Sequence, residues 1–358
     1  MNGARLLFQI FVRALWVFVS MLTMLTLAFF TTLYFNDPKL AHDFGKSCVS
    51  CKKPSITVST LKNPKGGGLD LRDWRVIISP ATTEPKVMPE LNPTEQQSAA
   101  LSRVNHYRSV VGLKAVTLNK TINKASTAHA TYNVSHNLSG HIESNSDTGF
   151  TGAWPWDRMR HFGYDEFTYA TEVCSMRWSS AQYLLRIDPQ WAIDGWVDTV
   201  YHRLPIINPN VYETGFGAAK AGDRVAYVMD FANPGFPISK KIIYYPADAQ
   251  TNVPVKFTGD ETPDPLPGAK YPVGYPITIT FNGYKDIKII DVKLTDSNGV
   301  DVKFYKIMPF SDKYIRDSIA IIPKRPLEYG MDYRVSINAN ADDDSIYLDW
   351  RFKTKTSD

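Results

Sequence analysis

The spacing of apolar residues changes once along this chain, near residue 240, and no single core can satisfy both patterns. Upstream, "NPTEQQSAALSRVNHYRSVVGL" places Ala100, Leu101, Val104 and Val111 at helical spacing behind a capping Asn92 or Thr94 and an early Glu95. Downstream, segments such as "YPITITFNG", "DYRVSINAN" and "IYLDWRFKT" are short, rich in β-branched and aromatic residues, and separated by Pro, Gly, Asn and Asp. The first pattern predicts helices covering a small sheet, the second a β-sandwich of about seven strands. With 358 residues, 44% hydrophobic and 13% aromatic, the chain is long and apolar enough for both cores.

A further constraint stands at the N-terminus. "ALWVFVSMLTMLTLAFFTTLYF", Ala14 to Phe35, carries no charged residue and is long enough to cross a bilayer as a helix. It ends in Leu33-Tyr34-Phe35 rather than at a small-residue cleavage site, which reads as an uncleaved signal anchor. Lys39, Lys46, Lys52 and Lys53 outnumber Arg5 and Arg13 before the span, and the charge rule applied literally favours the opposite orientation. That rule is weak ahead of a long domain and leaves the orientation open. The expected organisation is a single-pass membrane anchor over 1–36, a juxtamembrane stalk over 37–91, a mixed α and β domain over 92–238 and an all-β domain over 239–358. The formal net charge of +4 is small and no basic run is interleaved with aromatics, which argues against nucleic acid as a partner.

Cysteines add little. Cys48 and Cys51 form "CVSC" in the stalk, where a local disulfide, an idle thiol pair and metal ligation all remain open; Lys52 in place of His excludes c-type haem. Cys174 stands alone far downstream. Between them lie a second helix in "NKTINKASTAHATYNVSHN", with Ile122, Ala125, His129 and Tyr132 on one face, and the polar loop "SGHIESNSDTGFTG". A short helix in "WPWDRMRHFGY", another through "PQWAIDGWVDTV", and a hairpin "YETGFGAAKAGDRVAYVMDFA" turning at Ala221-Gly222-Asp223 complete the segment. On that second-helix face His129 reads as a packed, hydrogen-bonded core histidine, while His136 and His161 read as surface residues. Asn119, Asn133 and Asn137 each open an N-x-[ST] sequon, which counts only in a glycosylating host.

Taken in order, "VNHYRSVVGL", "ASTAHATYNVSHNLSGH", "PWDRMRHFGY", "ATEV" and "WVDTVYHRLPIINPNVYETGFG" resemble the CAP superfamily in its bacterial form. That superfamily groups cysteine-rich secretory proteins, antigen 5 and pathogenesis-related proteins around a shared SCP domain. The resemblance implies export, which places the bulk of the chain outside the cytoplasm, an α/β/α sandwich, and a cleft in which two histidines and acidic side chains converge. The matching residues are His141, Glu172 and His202, with Asp198 only approximately at the second acidic position and Asp194 one helical turn earlier. Thr171 and Val173 replace the family's Gly and Asn around Glu172, and Tyr201 replaces the Gly before His202, a change expected to narrow the cleft. The C-terminal segment resembles bacterial Ig-like domains through "IAIIPKRPLEYGMDYRVSINANADDDSIYLDWRFKT". The fold class expected is therefore α+β: a CAP α/β/α sandwich, then an all-β Ig-like sandwich, behind a transmembrane helix. Asp342-Asp343-Asp344 reads as a solvated acidic turn, with calcium binding the alternative.

Two neutral imidazoles beside a carboxylate can hold Zn2+ while leaving positions open to water, so His141 and His202 are the expected metal ligands of the tetrad His141, Glu172, Asp198 and His202. Arg203, Ile206 and Ile207 then read as the turn and core that fix His202. No Gly-x-Ser-x-Gly and no His-Glu-x-x-His is present. The first functional expectation is non-enzymatic binding of a hydrophobic ligand, a lipid or a partner protein at the cell surface. The alternative is a zinc-dependent hydrolase of peptide or cell-wall amide bonds, with Glu172 as general base.

Overall fold

The structure, a computed structural model, describes residues 90–180 and 185–358. The anchor expected at Ala14–Phe35, the stalk and the Cys48/Cys51 pair lie outside the described residues; among those described, no helix is long and apolar enough to cross a membrane.

Helix α1 (Pro93–Val110) starts where the sequence places it. The Asn92 side chain accepts from the Glu95 amide while Glu95 reaches back to the Asn92 amide, a reciprocal cap that satisfies two otherwise orphaned donors. Helix α2 (Lys120–His136) is capped by Asn119, whose side chain accepts from Thr121 and Ile122, and ends at Asn137 in the left-handed conformation. Short helices α3 (Pro155–His161), α4 (Pro189–Val197) and α5 (Arg203–Ile206) follow. Strands β1 (Thr117–Leu118), β2 (Tyr169–Trp178), β3 (Glu213–Ala221) and β4 (Arg224–Asn233) form a sheet in the order β1-β3-β4-β2. The expected hairpin is β3–β4, with Gly222 at φ +57° in its turn.

Alternation along β4 assigns the two faces of this sheet. Val225, Tyr227, Met229 and Phe231 join Ala100 and Val104 of α1 and Ile193 and Trp196 of α4 in one core; Ala226 and Val228 pack with Ala130 and Val134 of α2 in another. Helices therefore cover both faces, an α/β/α arrangement. Helix α2 rides directly on β3: a Cβ on Gly215 would lie 2.3 Å from the Ile122 carbonyl carbon, and one on Gly217 would lie 2.2 Å from the Thr127 nitrogen. The Gly-x-Gly of "TGFG" is thus a close-approach surface rather than a turn.

The C-terminal region is all β. Two four-stranded sheets have the orders β10-β13-β14-β6 and β11-β12-β9-β5, and β7 (Lys256–Phe257) with β8 (Val273–Gly274) makes a separate hairpin. The sheets comprise β5 (Lys241–Tyr245), β6 (Gln250–Val253), β9 (Ile277–Asn282), β10 (Ile287–Asp296), β11 (Phe304–Ile307), β12 (Ser318–Pro323), β13 (Asp332–Ala341) and β14 (Asp344–Thr354). Their inner faces share Ile277, Ile279, Phe281, Ile319, Ile321, Val335, Ile337 and Phe352, in a cluster continuous with the α1/α4 side of the first sheet. Strands outnumber the seven expected segments because one of those segments breaks into β10 and β11, and because β6 adds a short parallel partner to β14 and β8 a short antiparallel partner to β7. Asp342 at φ +50° turns β13 into β14 and forms an ion pair with Lys240, so its carboxylate serves the turn.

Candidate functional site: a split cluster of histidines and carboxylates

Strand pairing decides which polar groups meet. In the β2–β4 register Glu172 lies opposite Asp230 and Cys174 opposite Val228. Glu172, Cys174 and Asp230 therefore share the face covered by α2, which contributes His129 and Ser126. The loop between α2 and α3 adds His141 and Glu143, and α3 adds Arg158. His129, Glu143, Arg158, Glu172 and Asp230 are all buried.

The cluster is densely bonded, although Arg158 Nε and Asp230 Oδ1 are buried without a hydrogen-bond partner among the described residues. Arg158 donates to Glu172 Oε2 at 2.5 Å and also to the His141 carbonyl at 3.1 Å. His141 Nδ1 meets Glu172 Oε1 at 2.8 Å and Cys174 Sγ at 3.6 Å. His129 Nδ1 faces Glu143 Oε1 at 2.9 Å, and Nε2 faces the Gly140 carbonyl at 2.8 Å and the Asn133 side-chain nitrogen at 3.1 Å. Glu143 Oε2 accepts from the Thr151 amide, and Ser126 donates to Asp230 Oδ2.

Electrostatics follow from that packing. Burial alone would raise the pKa of Glu172, but the Arg158 guanidinium, then the His129 ring and the bond from His141, bring it down to about 2. Burial opposes protonation of His129, yet the Glu172 charge and bonds to Cys174 and Glu143 push it up to about 10. His141 is raised similarly against burial by its bonds to Cys174 and Glu172. Asp230 is driven well above the usual carboxylate range by burial and by the facing Glu172. For Cys174, burial raises the thiol pKa, and the bonds from His129 and His141 outweigh it, so the pKa is lowered from its ordinary value.

The histidine of the "YHR" junction goes elsewhere. Glu261, from the loop between β7 and β8, is buried and accepts from the amides of Val200, Tyr201 and His202 at 2.8, 2.7 and 3.1 Å. Its Oε1 also meets His202 Nδ1 at 2.8 Å. Asp198 accepts from the Tyr275 hydroxyl at 2.9 Å, and Asp194 from Arg103 and Tyr107. Tyr201, expected to narrow a cleft, donates instead to Asp312 and packs on Tyr314. Arg203 is buried between the rings of Tyr245 and Tyr275 and donates to the Val197 and Pro276 carbonyls.

Of the four residues expected to converge, the structure brings His141 and Glu172 together and places Asp198 and His202 against the C-terminal β region. Among the described residues the group able to hold a metal is His141, Glu172 and Cys174, whose ligand atoms lie within 4.8 Å of one another; His202 is not in it. Glu172 as general base meets a geometric obstacle, because one oxygen is held by Arg158 and the other by His141. Nor do Cys174 and His141 make a relay with Glu172, since thiol and carboxylate face the same ring nitrogen. Cys174 carried a usable signal, two residues from Glu172 on a strand and so on the same face. Asp230 and Glu261 carried none, because strand register and domain docking are not written in local spacing.

Residues 101–231, within the α/β/α segment, match the family model for CAP, the cysteine-rich secretory protein family. Similar solved structures include an outer surface protein from Borrelia burgdorferi, 15% identical over 41% of this chain and 98% of that one, with a TM-score of 0.33. An extracellular protein containing an SCP domain from Bacillus anthracis is 17% identical, covering 41% of this chain and 45% of that one, with a TM-score of 0.31. A cysteine-rich secretory protein from Staphylococcus aureus is 17% identical, covering 46% of each chain, with a TM-score of 0.28. No curated protein matches the chain.

Proposed function

We propose that this protein is an exported, membrane-anchored CAP-domain binding module that captures a hydrophobic ligand or a partner at the cell surface without turning it over. Ala14–Phe35 is its single-pass anchor, the bulk of the chain is extracytoplasmic, and the C-terminal β region serves as an Ig-like support. The observation that carries the non-enzymatic reading is the engagement of both Glu172 oxygens by Arg158 and His141, with the carboxylate's pKa near 2. Such a group is a poor proton acceptor at neutral pH. A groove of about 890 Å³ between the start of α1 and the outer face of α2, lined by Gln97, Lys124, Ala128, Thr131, Tyr132 and Phe162, offers space for a ligand.

A second reading, a zinc-dependent hydrolase of peptide or cell-wall amides, is favoured by one feature: His141, 44% exposed, sits in a group able to hold an ion such as Zn2+. The test uses full-length protein in nanodiscs. Capture of a fluorescent lipid that Ala128→Trp abolishes, with no amide hydrolysis, is the expected result. Chelator-sensitive hydrolysis that His141→Ala removes would establish the second reading instead.

A further inference from the structure

The loop between α2 and α3 gathers apolar side chains at the surface. Five of the sixteen large apolar side chains that stand exposed among the described residues, Leu138, Ile142, Phe150, Trp154 and Trp156, fall within residues 138–156. Trp154 and Trp156 stack with ring centroids 5.4 Å apart and planes 10° from parallel. The Glu143 amide donates to the Ala153 carbonyl at 3.1 Å, so Ile142 and Trp154 flank one backbone bridge. We propose that this loop docks into the interfacial layer of the bilayer to which the chain is anchored. The proposal rests on the membrane-anchored reading and goes beyond it by giving the α/β/α domain a face toward the lipid.

The exposure is enforced by the bonds beneath it. The buried Glu143 carboxylate accepts from the Thr151 amide at 2.7 Å, and Arg158 donates to the carbonyls of His141, Gly152 and Ala153 at 3.1, 3.3 and 3.4 Å. The Ser144 amide donates to the Tyr132 hydroxyl at 2.9 Å, and that hydroxyl donates to Asp147 at 2.7 Å. A loop tied along both limbs is not free to fold its apolar side chains inward, so they are preorganised for a partner outside the chain. Side-chain chemistry selects lipid as that partner. No Lys or Arg lies within residues 138–156, and of the two carboxylates there Glu143 is buried and Asp147 is bonded to Tyr132. Aliphatic side chains beside indoles suit the boundary between headgroups and acyl chains, where the ring body is apolar and its N–H meets a polar group. The tether supplies the rest. Residues 36–89 join the apolar run Ala14 to Phe35 to the described body and, at about 3.3 Å per residue, reach up to about 180 Å, well past the width of a body of this size, about 50 Å. Docking is then intramolecular, and a patch of modest affinity suffices.

The test uses the full-length chain in phosphatidylcholine nanodiscs, with Cys48→Ser and Cys51→Ser so that only the buried Cys174 remains beside an introduced cysteine. A nitrobenzoxadiazole fluorophore is placed at Ile142→Cys, and a nitroxide near the headgroup end of the lipid acyl chain is the quencher. The expected result is quenching at least about threefold stronger than for the same label at Tyr347→Cys, an exposed position of the β region. Trp154→Ser/Trp156→Ser should bring the label at position 142 down to the level at position 347, with the urea midpoint unchanged because both indoles are exposed. If the double variant lowers that midpoint, Phe150→Asp, at a third exposed apolar position, should produce the same loss of quenching. Chains that co-elute with the discs but show no more quenching at position 142 than at position 347 would overturn the docking and leave the anchor standing, with the loop then facing a protein or a glycan. Chains that do not co-elute would overturn both. Quenching that survives the loss of both indoles and of Phe150 would overturn the docking as well, since the tether alone would then account for it.

Discussion

The α/β/α domain and the C-terminal β region handle charge in opposite ways. Arg108, His129, Glu143, Arg158, Glu172 and Asp230 are buried in the first. In the second, the core is aliphatic and aromatic, and pairs such as Arg334–Asp349, Lys353–Asp332 and Lys355–Asp358 lie at the surface. Its buried carboxylate Glu261 points out of its own region, into the turn at Val200–His202. Burying an ion costs several kcal/mol unless paired, and pairs so placed fix geometry more than they add stability. The polar centre of the α/β/α domain is thus a specified arrangement, while the β region has a conventional apolar core and directs one buried carboxylate outward.

Substitutions can break or sharpen that contrast. Arg158→Met should have the largest effect, about 4 kcal/mol lost in urea unfolding, because the buried Glu172 and Glu143 would lose the guanidinium between them. Gly217→Ala should cost about 3 kcal/mol by forcing α2 off the sheet, measured the same way. Glu261→Gln should cost about 2 kcal/mol, since the amide keeps one acceptor but loses the charge that holds three amides and a ring.

The next effect in size depends on pH. His129 has a folded pKa raised to about 10 against an unfolded value near 6.5, so its stabilisation is complete below about pH 6.5 and is lost as pH rises through about 10. The protein should lose stability steadily as pH rises through that window, read by urea unfolding at each pH, and His129→Gln should flatten the profile. Smallest of all, Arg334→Ala on the β region should change stability by less than about 1 kcal/mol, since its side chain is 51% exposed. An Arg334 effect as large as that of Arg158 would erase the distinction between the two regions.

Much of this was legible in the residues themselves. The Asn92/Glu95 cap, the Asn119 start of α2, the β3–β4 hairpin and the period-2 strands after residue 240 follow from local chemistry. So did the packing of His129, whose place on the apolar face of α2 signals burial. The site was legible only in part. Similarity in motif order pointed to His141 and Glu172, but the same order suggested that His202 joins them, whereas a loop near residue 261 supplies the carboxylate His202 meets. Contacts separated by about sixty residues and set by docking leave no periodic trace in the sequence. Cys174 was visible but idle until the β2–β4 register placed it beside His141.

The division of the expected tetrad into two separately held halves is tested most directly by double-mutant cycles centred on His202, read by urea unfolding. Pairing His202→Gln with Glu261→Gln should give a coupling of at least about 1.5 kcal/mol, and pairing it with His141→Gln should give less than about 0.5 kcal/mol. Strong coupling between His141 and His202, with none between His202 and Glu261, would contradict that division.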